Sequence, residues 1–157
     1  MNSPQTIYAL SSGALPAAIA IVRISGPLAK KALQLLGATN LTPRKLILTK
    51  LKPSKQEIID MALVCFFSKE ESITGEDLAE LHLHGSLAVV DEVFLFLSSI
   101  TGLRPAEPGE FTKRSLLNGK MGLIEVEGLA DLIASETKEQ RIQSLRLLKG
   151  ELSKKYL

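Results

Sequence analysis

A chain of 157 residues suits one domain or a domain with an appendage, and 45% hydrophobic against 23% charged residues is the balance of a globular protein with a real core. With no Trp and aromatics at 4%, that core must be mostly aliphatic. A net charge of +2 lacks the basic excess expected of a nucleic-acid binder, and a single cysteine, Cys65, excludes an internal disulfide and a cysteine-rich zinc site. The start, MNSPQTIYAL, lacks the basic opening of a secretory signal, and the apolar run Ala14 to Val22 is too short to span a bilayer, so a cytoplasmic protein is expected.

TIYAL and AAIAIVRIS read as two strands around a small-residue loop, Ser11 to Pro16. The second, Ala17 to Ser25, is rich enough in Ile, Val and Ala to predict a central strand buried on both faces. Gly26-Pro27 punctuates it, and PLAKKALQLLG follows with leucines and alanines at largely helical spacing, stopped by Gly37. KLILTKL and IIDMALVCFF predict further strands across the turn Pro53-Ser-Lys, with Cys65 a buried, inert thiol. AELHLHG, from Ala79, predicts a strand, and LAVVDEVFLFLSSITGL a helix with Ser86 as its N-cap and Val89, Val90, Val93, Phe94 and Leu97 as its buried stripe.

RPAEPGEFTKRSLLNGK begins as a loop, with a short helix from about Phe111 to Leu117 stopping at Asn118-Gly119. A surface helix is expected over Ser135 to Ser144, with Leu145, Leu147, Leu148 and Leu152 on its apolar side. Such a helix needs a partner, and the chain offers none in this reading. The expectation is therefore an N-terminal piece of a longer protein, or a unit that dimerises through this helix. The fold class is α/β (α+β-like): a mixed sheet of about five strands with packed helices, plus a C-terminal helical segment.

In a strand, Glu80, His82 and His84 share one face, a set that resembles a metal triad. Alternate positions are already ~6–7 Å apart along a strand, so the two ends of the set are too far apart to share one ion without a sharp bend. The competing reading has His84 closing the strand before Gly85 on a neighbouring loop, with His82 partly exposed. Glu80 is the more interesting group. A carboxylate among leucines calls for water or a partner, such as a cation or a heterocycle with two adjacent N–H donors. Glu76 and Asp77 in TGED read equally as turn acids or as ligand-side groups.

IVRISGP, SITGEDLAELHLHG and RPAEPGEFTKRSLLNGKMGLIEVEGLADLIAS occur in an order and spacing that resemble the successive blocks of the N-terminal domain of the bacterial tRNA-modification GTPases MnmE (TrmE). The resemblance covers essentially the whole chain. It implies a folate-binding and dimerisation domain over residues 1–120, in a fold like that of the glycine-cleavage aminomethyltransferases, and the start of a helical domain over 121–157. The implied cofactor is a tetrahydrofolate derivative, 5-formyl- or 5,10-methylenetetrahydrofolate, supplying a one-carbon unit to C5 of the wobble uridine of certain tRNAs. The implied partners are a second copy, the flavoprotein MnmG (GidA) and the tRNA substrate.

The family's folate contacts fall on Arg23, Glu80 and Lys120. Its C-terminal folate contact and reactive cysteine have no counterpart here, and Cys65 does not stand in for that cysteine. Where the family often carries a Gly/Arg-rich loop, this chain has GALPAAIA, so a pocket lid at that place would differ. GTP, Mg and K belong to the family's GTPase domain. The sole Gly-Lys, Gly119-Lys120, lacks the P-loop pattern, so this stretch is not expected to hydrolyse GTP. Three alternatives remain: an autonomous one-carbon transferase with Asp77, Glu76 or His84 as general base, a metal-dependent enzyme using Glu80, His82 and His84, and a direct tRNA-binding module, against which the near-neutral charge argues.

Overall fold

The computed structural model describes residues 5–55 and 57–150. Within them the chain divides into two compact units, one ending at Pro108 and the other beginning at Gly109.

The first unit holds six strands and two helices, in the order β1 (Thr6–Leu10), β2 (Ala17–Ser25), α1 (Ala29–Leu35), β3 (Ile47–Leu51), β4 (Asp60–Phe67), β5 (Leu78–Gly85), α2 (Leu87–Ser98) and β6 (Leu103–Pro105). The strands form one mixed sheet ordered β3-β4-β5-β2-β1-β6, in which only β6 runs parallel to its neighbour. The sixth strand replaces the end of the expected helix at Leu103 and the start of the expected loop at Arg104-Pro105, the helix itself ending at Ser98. It is three residues long and ends in a proline, and Ala106 N–H beyond it continues the pairing to Tyr8 O at 2.9 Å.

Period-two patterning decides which face is buried. Ala20, Val22 and Ile24 of β2, Ala62, Val64 and Phe66 of β4, and Ala79, Leu81 and Leu83 of β5 line one side. There they pack with Ala32, Leu33 and Leu36 of the α1 region and Val90, Val93 and Leu97 of α2. Ser86 is the α2 N-cap, with extended backbone and no side-chain capping bond. The expectation that β2 is buried on both faces is overturned: Ile19 is 60% exposed, and Ile21 and Arg23 are half-buried. The aliphatic run is there, but both helices named above serve the same face.

β2 and β5 are the central pair. Their register matches Arg23 with Glu80, Ile21 with His82 and Ile19 with His84, and slips by a bulge between Ala17 and Ile19. At that corner Ala17 lies opposite Gly85, so close that a Cβ on Gly85 would sit 2.2 Å from the Ala17 carbonyl oxygen.

The second unit contains α3 (Glu110–Leu117), α4 (Leu123–Ala134) and α5 (Lys138–Leu148). α5 opens on a capping box: Gln140 N–H donates to Thr137 Oγ1, and the Gln140 side chain accepts from Thr137 N–H. The amphipathic helix therefore starts later than expected, and it does have a partner in this chain. It packs on α4, where Gly128 has no side chain; a Cβ there would meet Leu148 N at 2.6 Å.

Candidate functional site

The open face of the sheet carries the site. Across β4, β5 and β2, one row of partners reads Cys65, Glu80, Arg23, and the next reads Leu63, His82, Ile21. Alternation puts their side chains on the side that α1 and α2 leave uncovered.

Glu80 is the hub. Its Oε1 accepts from Arg23 Nη2 at 2.8 Å and from Arg23 Nε at 3.2 Å, and its Oε2 lies 3.2 Å from His82 Nε2. An ionised carboxylate only accepts, so His82 must present Nε2–H to make that bond. The three side chains are between 17% and 26% exposed, sheltered but open to a ligand. Both Arg23 bonds converge on one oxygen, leaving acceptor capacity chiefly on Oε2.

His84 faces elsewhere. Its Nδ1 is 2.7 Å from Asp60 Oδ1, and its backbone N–H donates to Asp60 Oδ2 at 2.9 Å. Asp60 also accepts Met61 N–H at 2.8 Å, so it ties the start of β4 to the end of β5. His84 does close its strand, on a neighbouring strand end rather than a loop. Glu80, His82 and His84 do not converge, and among the described residues no three His, Cys, Asp or Glu side chains gather as a metal would need.

Ser25 and Thr74 are fully buried and share a 2.8 Å hydrogen bond, while Ser25 Oγ donates to Glu76 Oε2 at 2.9 Å and Ser72 Oγ bonds the Glu76 carbonyl. Asp77 accepts Lys69 N–H at 3.1 Å, and its carbonyl accepts Gly26 N–H at 2.9 Å. The TGED acids thus clamp their loop to the end of β2, the turn-forming reading. Each general-base candidate, Glu76, Asp77 and His84, is already engaged in this way. The loop between β1 and β2 is held by Ser12 Oγ, which accepts Ile21 N–H at 3.0 Å, and by Ser11 N–H donating to Ile21 O at 2.7 Å.

Lys120 lies in the second unit, exposed just beyond α3, with its backbone N–H donating to Ser115 O at 2.8 Å. Sequence reasoning missed two contributors. Asp60 is hidden because strand register cannot be read from one chain, and the bond from His82 to Glu80 carries no signal in the strand pattern, which gives His82 only as partly exposed.

Cys65 is 5% exposed. Burial pushes its thiol pKa up, the nearby Glu80 carboxylate pushes it further in the same direction, and a hydrogen bond from the Phe66 backbone partly opposes both. The thiol therefore stays protonated at a pH where an ordinary cysteine has begun to ionise. Iodoacetamide at about pH 8.5, followed by mass spectrometry, is expected to label native protein at least about tenfold more slowly than unfolded protein. Glu80→Gln should move the labelling profile to lower pH; labelling at the unfolded rate would contradict the assignment.

Comparison with known proteins gives the family. The sequence profile described as "GTP-binding protein TrmE N-terminus" matches residues 6–120. The chain belongs to the TrmE N-terminal family. It is 54% identical over 151 residues to the tRNA modification GTPase MnmE of Bradyrhizobium, covering 96% of this chain and 34% of that protein. It is 49% identical over 156 residues to the MnmE of Agrobacterium fabrum, covering 99% of this chain and 35% of that protein. It is also 52% identical over 158 residues to the human mitochondrial 5-taurinomethyluridine tRNA synthase subunit GTPB3, covering 96% of this chain and 31% of that protein. The chain thus spans about a third of the length of these relatives. The TrmE match ends at residue 120, beyond the unit boundary at 108/109, so it takes in α3. No helix among the described residues is long and apolar enough to cross a membrane.

Proposed function

We propose that this chain is the tetrahydrofolate-binding and dimerisation module of a cytoplasmic tRNA-modification GTPase. Residues 1–120 would form that module, and 121–157 the start of a helical domain. The observation that carries the reading is the Arg23–Glu80 pair at the centre of an uncovered sheet face.

A pterin presents an amino group beside a ring N–H, and a carboxylate accepts such a pair with one bond to each oxygen. Oε2 of Glu80 has capacity for one of them; Oε1 gains it when Arg23 gives up one of its two bonds. The guanidinium so loosened is suited to the formyl oxygen or the anionic benzoyl-glutamate tail of the same ligand. His82 holds Oε2 and keeps the carboxylate facing outward. Lys120 is the second cation assigned to the ligand.

The rest of the reading extends the family resemblance. The folate derivative, 5-formyl- or 5,10-methylenetetrahydrofolate, supplies the one-carbon unit placed on C5 of the wobble uridine. The flavoprotein MnmG completes the chemistry, and GTP with Mg and K acts in the GTPase domain. A second copy of the chain is assigned to the open face, where exposed Ile19, Met61 and Leu63 leave apolar area uncovered.

Calorimetric titration with 5-formyltetrahydrofolate tests the folate reading. Saturable binding near one ligand per chain is expected. Absence of binding by the intact protein would overturn it.

A further inference from the structure

The small net charge hides how unevenly charge is spread. Residues 39–56 carry five Lys or Arg and no Asp or Glu, while the remaining residues are together net acidic. Four of the cations, Arg44, Lys45, Lys50 and Lys52, lie on or just beside β3, the outermost strand of the sheet. Arg44 N–H donates to Phe66 O at 2.8 Å, so the chain from Arg44 to Lys52 follows the sheet border for about 25 Å.

These side chains are exposed, and the lysines have no side-chain partner among the described residues. Arg44 has only a long, exposed pair with Glu71 at 3.5 Å. The next acids along the chain are Glu57 and Asp60, and Asp60 is engaged by His84.

Two features narrow the partner. The first is that the outer edge of β3 is partly occupied. Lys52 N–H donates to Leu36 O at 2.9 Å, and the Cβ position of Gly37 is 3.0 Å from Lys50 O. An acidic peptide adding as a further strand would lack the free edge it requires, whereas the lysine side chains remain reachable. The second is that residues 39–56 contain no aromatic side chain, so bases have nothing to stack on. What fits is a phosphodiester backbone, contacted without regard to base sequence.

We propose that the β3 border is a docking strip for the phosphate backbone of tRNA, an inference that rests on the tRNA-modification reading above. It sits at the rim of the open face that carries Glu80.

The test is tRNA binding by the intact protein, read by fluorescence anisotropy across a salt series. Lys45→Gln/Lys50→Gln/Lys52→Gln is expected to weaken binding at least about tenfold near 0.15 M salt and to reduce the salt slope by about two to three. Lys31→Gln/Lys69→Gln, which removes two exposed cations elsewhere, should leave both unchanged. Folate titration of the same preparations should be unchanged for both variants, which shows that they are folded. Unaltered tRNA affinity and slope in the triple variant would overturn the proposal. So would equal loss in the control, loss of poly-glutamate binding with tRNA binding intact, or increased self-association with tRNA binding intact. The last would mean that the lysines only shield a strand edge. Absence of folate binding in the wild type would instead sink the folate reading and leave the salt series to stand by itself.

Discussion

Glu80→Ala is expected to weaken 5-formyltetrahydrofolate binding by about ten- to hundredfold while leaving the protein folded. A hydrogen-bonding partner with a charge is worth about 1.5–3 kcal/mol, which converts to that range of affinity. The substitution leaves two ligand N–H groups without acceptors, and it also leaves Arg23 and His82 without the carboxylate that orients them. Glu80→Gln keeps the shape and one acceptor oxygen, so its loss should be smaller. Calorimetry on the wild type and both variants, with circular dichroism as the folding control, checks the order. Equal affinity in all three would remove Glu80 from the site.

The second large effect is structural. Gly85→Ala is expected to destabilise the protein by about 3 kcal/mol, the upper end of what forced overpacking costs. The new methyl would sit 2.2 Å from the Ala17 oxygen and 2.6 Å from the Ala17 carbonyl carbon, and neither is the far end of a flexible side chain. The relief must come from β2 and β5 moving apart at the Ala17–Gly85 corner. That is the same strand pair whose register sets Arg23 beside Glu80. Urea denaturation should show a lower midpoint with little change in slope. Folate affinity should fall as well, since the distortion reaches the pair that aims the site. A variant as stable as the wild type would contradict the close approach.

Much of the fold was legible because aliphatic runs in this chain are cleanly bounded by Gly, Pro and polar turns. TIYAL and AAIAIVRIS became β1 and β2 with those boundaries, and Glu80, His82 and His84 do alternate on one strand. What escaped needed long-range information. β6 is too short and too proline-bound to carry a period, and exists because β1 offers it an edge. Burial of β2 was overestimated because the composition of a strand does not say how many faces a small domain can cover. The start of α5 had a local signal, Thr137-Lys-Glu-Gln140, whose capping pattern places the first turn. Its packing on α4 had only Gly128 as a hint.

For the site, the residue types were legible and their pairing was not. Glu80 stood out as a carboxylate on a leucine-rich strand, but Arg23 lies 57 positions away, and only the β2–β5 register brings the two within 2.8 Å. The same register sets Cys65 opposite Glu80, whose charge adds to the larger effect of burial in raising the thiol pKa. Asp60 could not be matched to His84 without knowing that β4 and β5 are neighbours.

The most direct test of the central claim is a crystal structure of the protein with 5-formyltetrahydrofolate. The account predicts the pterin edge on the open sheet face, with its amino group and ring N–H each about 3 Å from a Glu80 oxygen and Arg23 turned toward the formyl group or the tail. A ligand bound elsewhere, with the Arg23–Glu80 pair undisturbed at 2.8 Å, would contradict it.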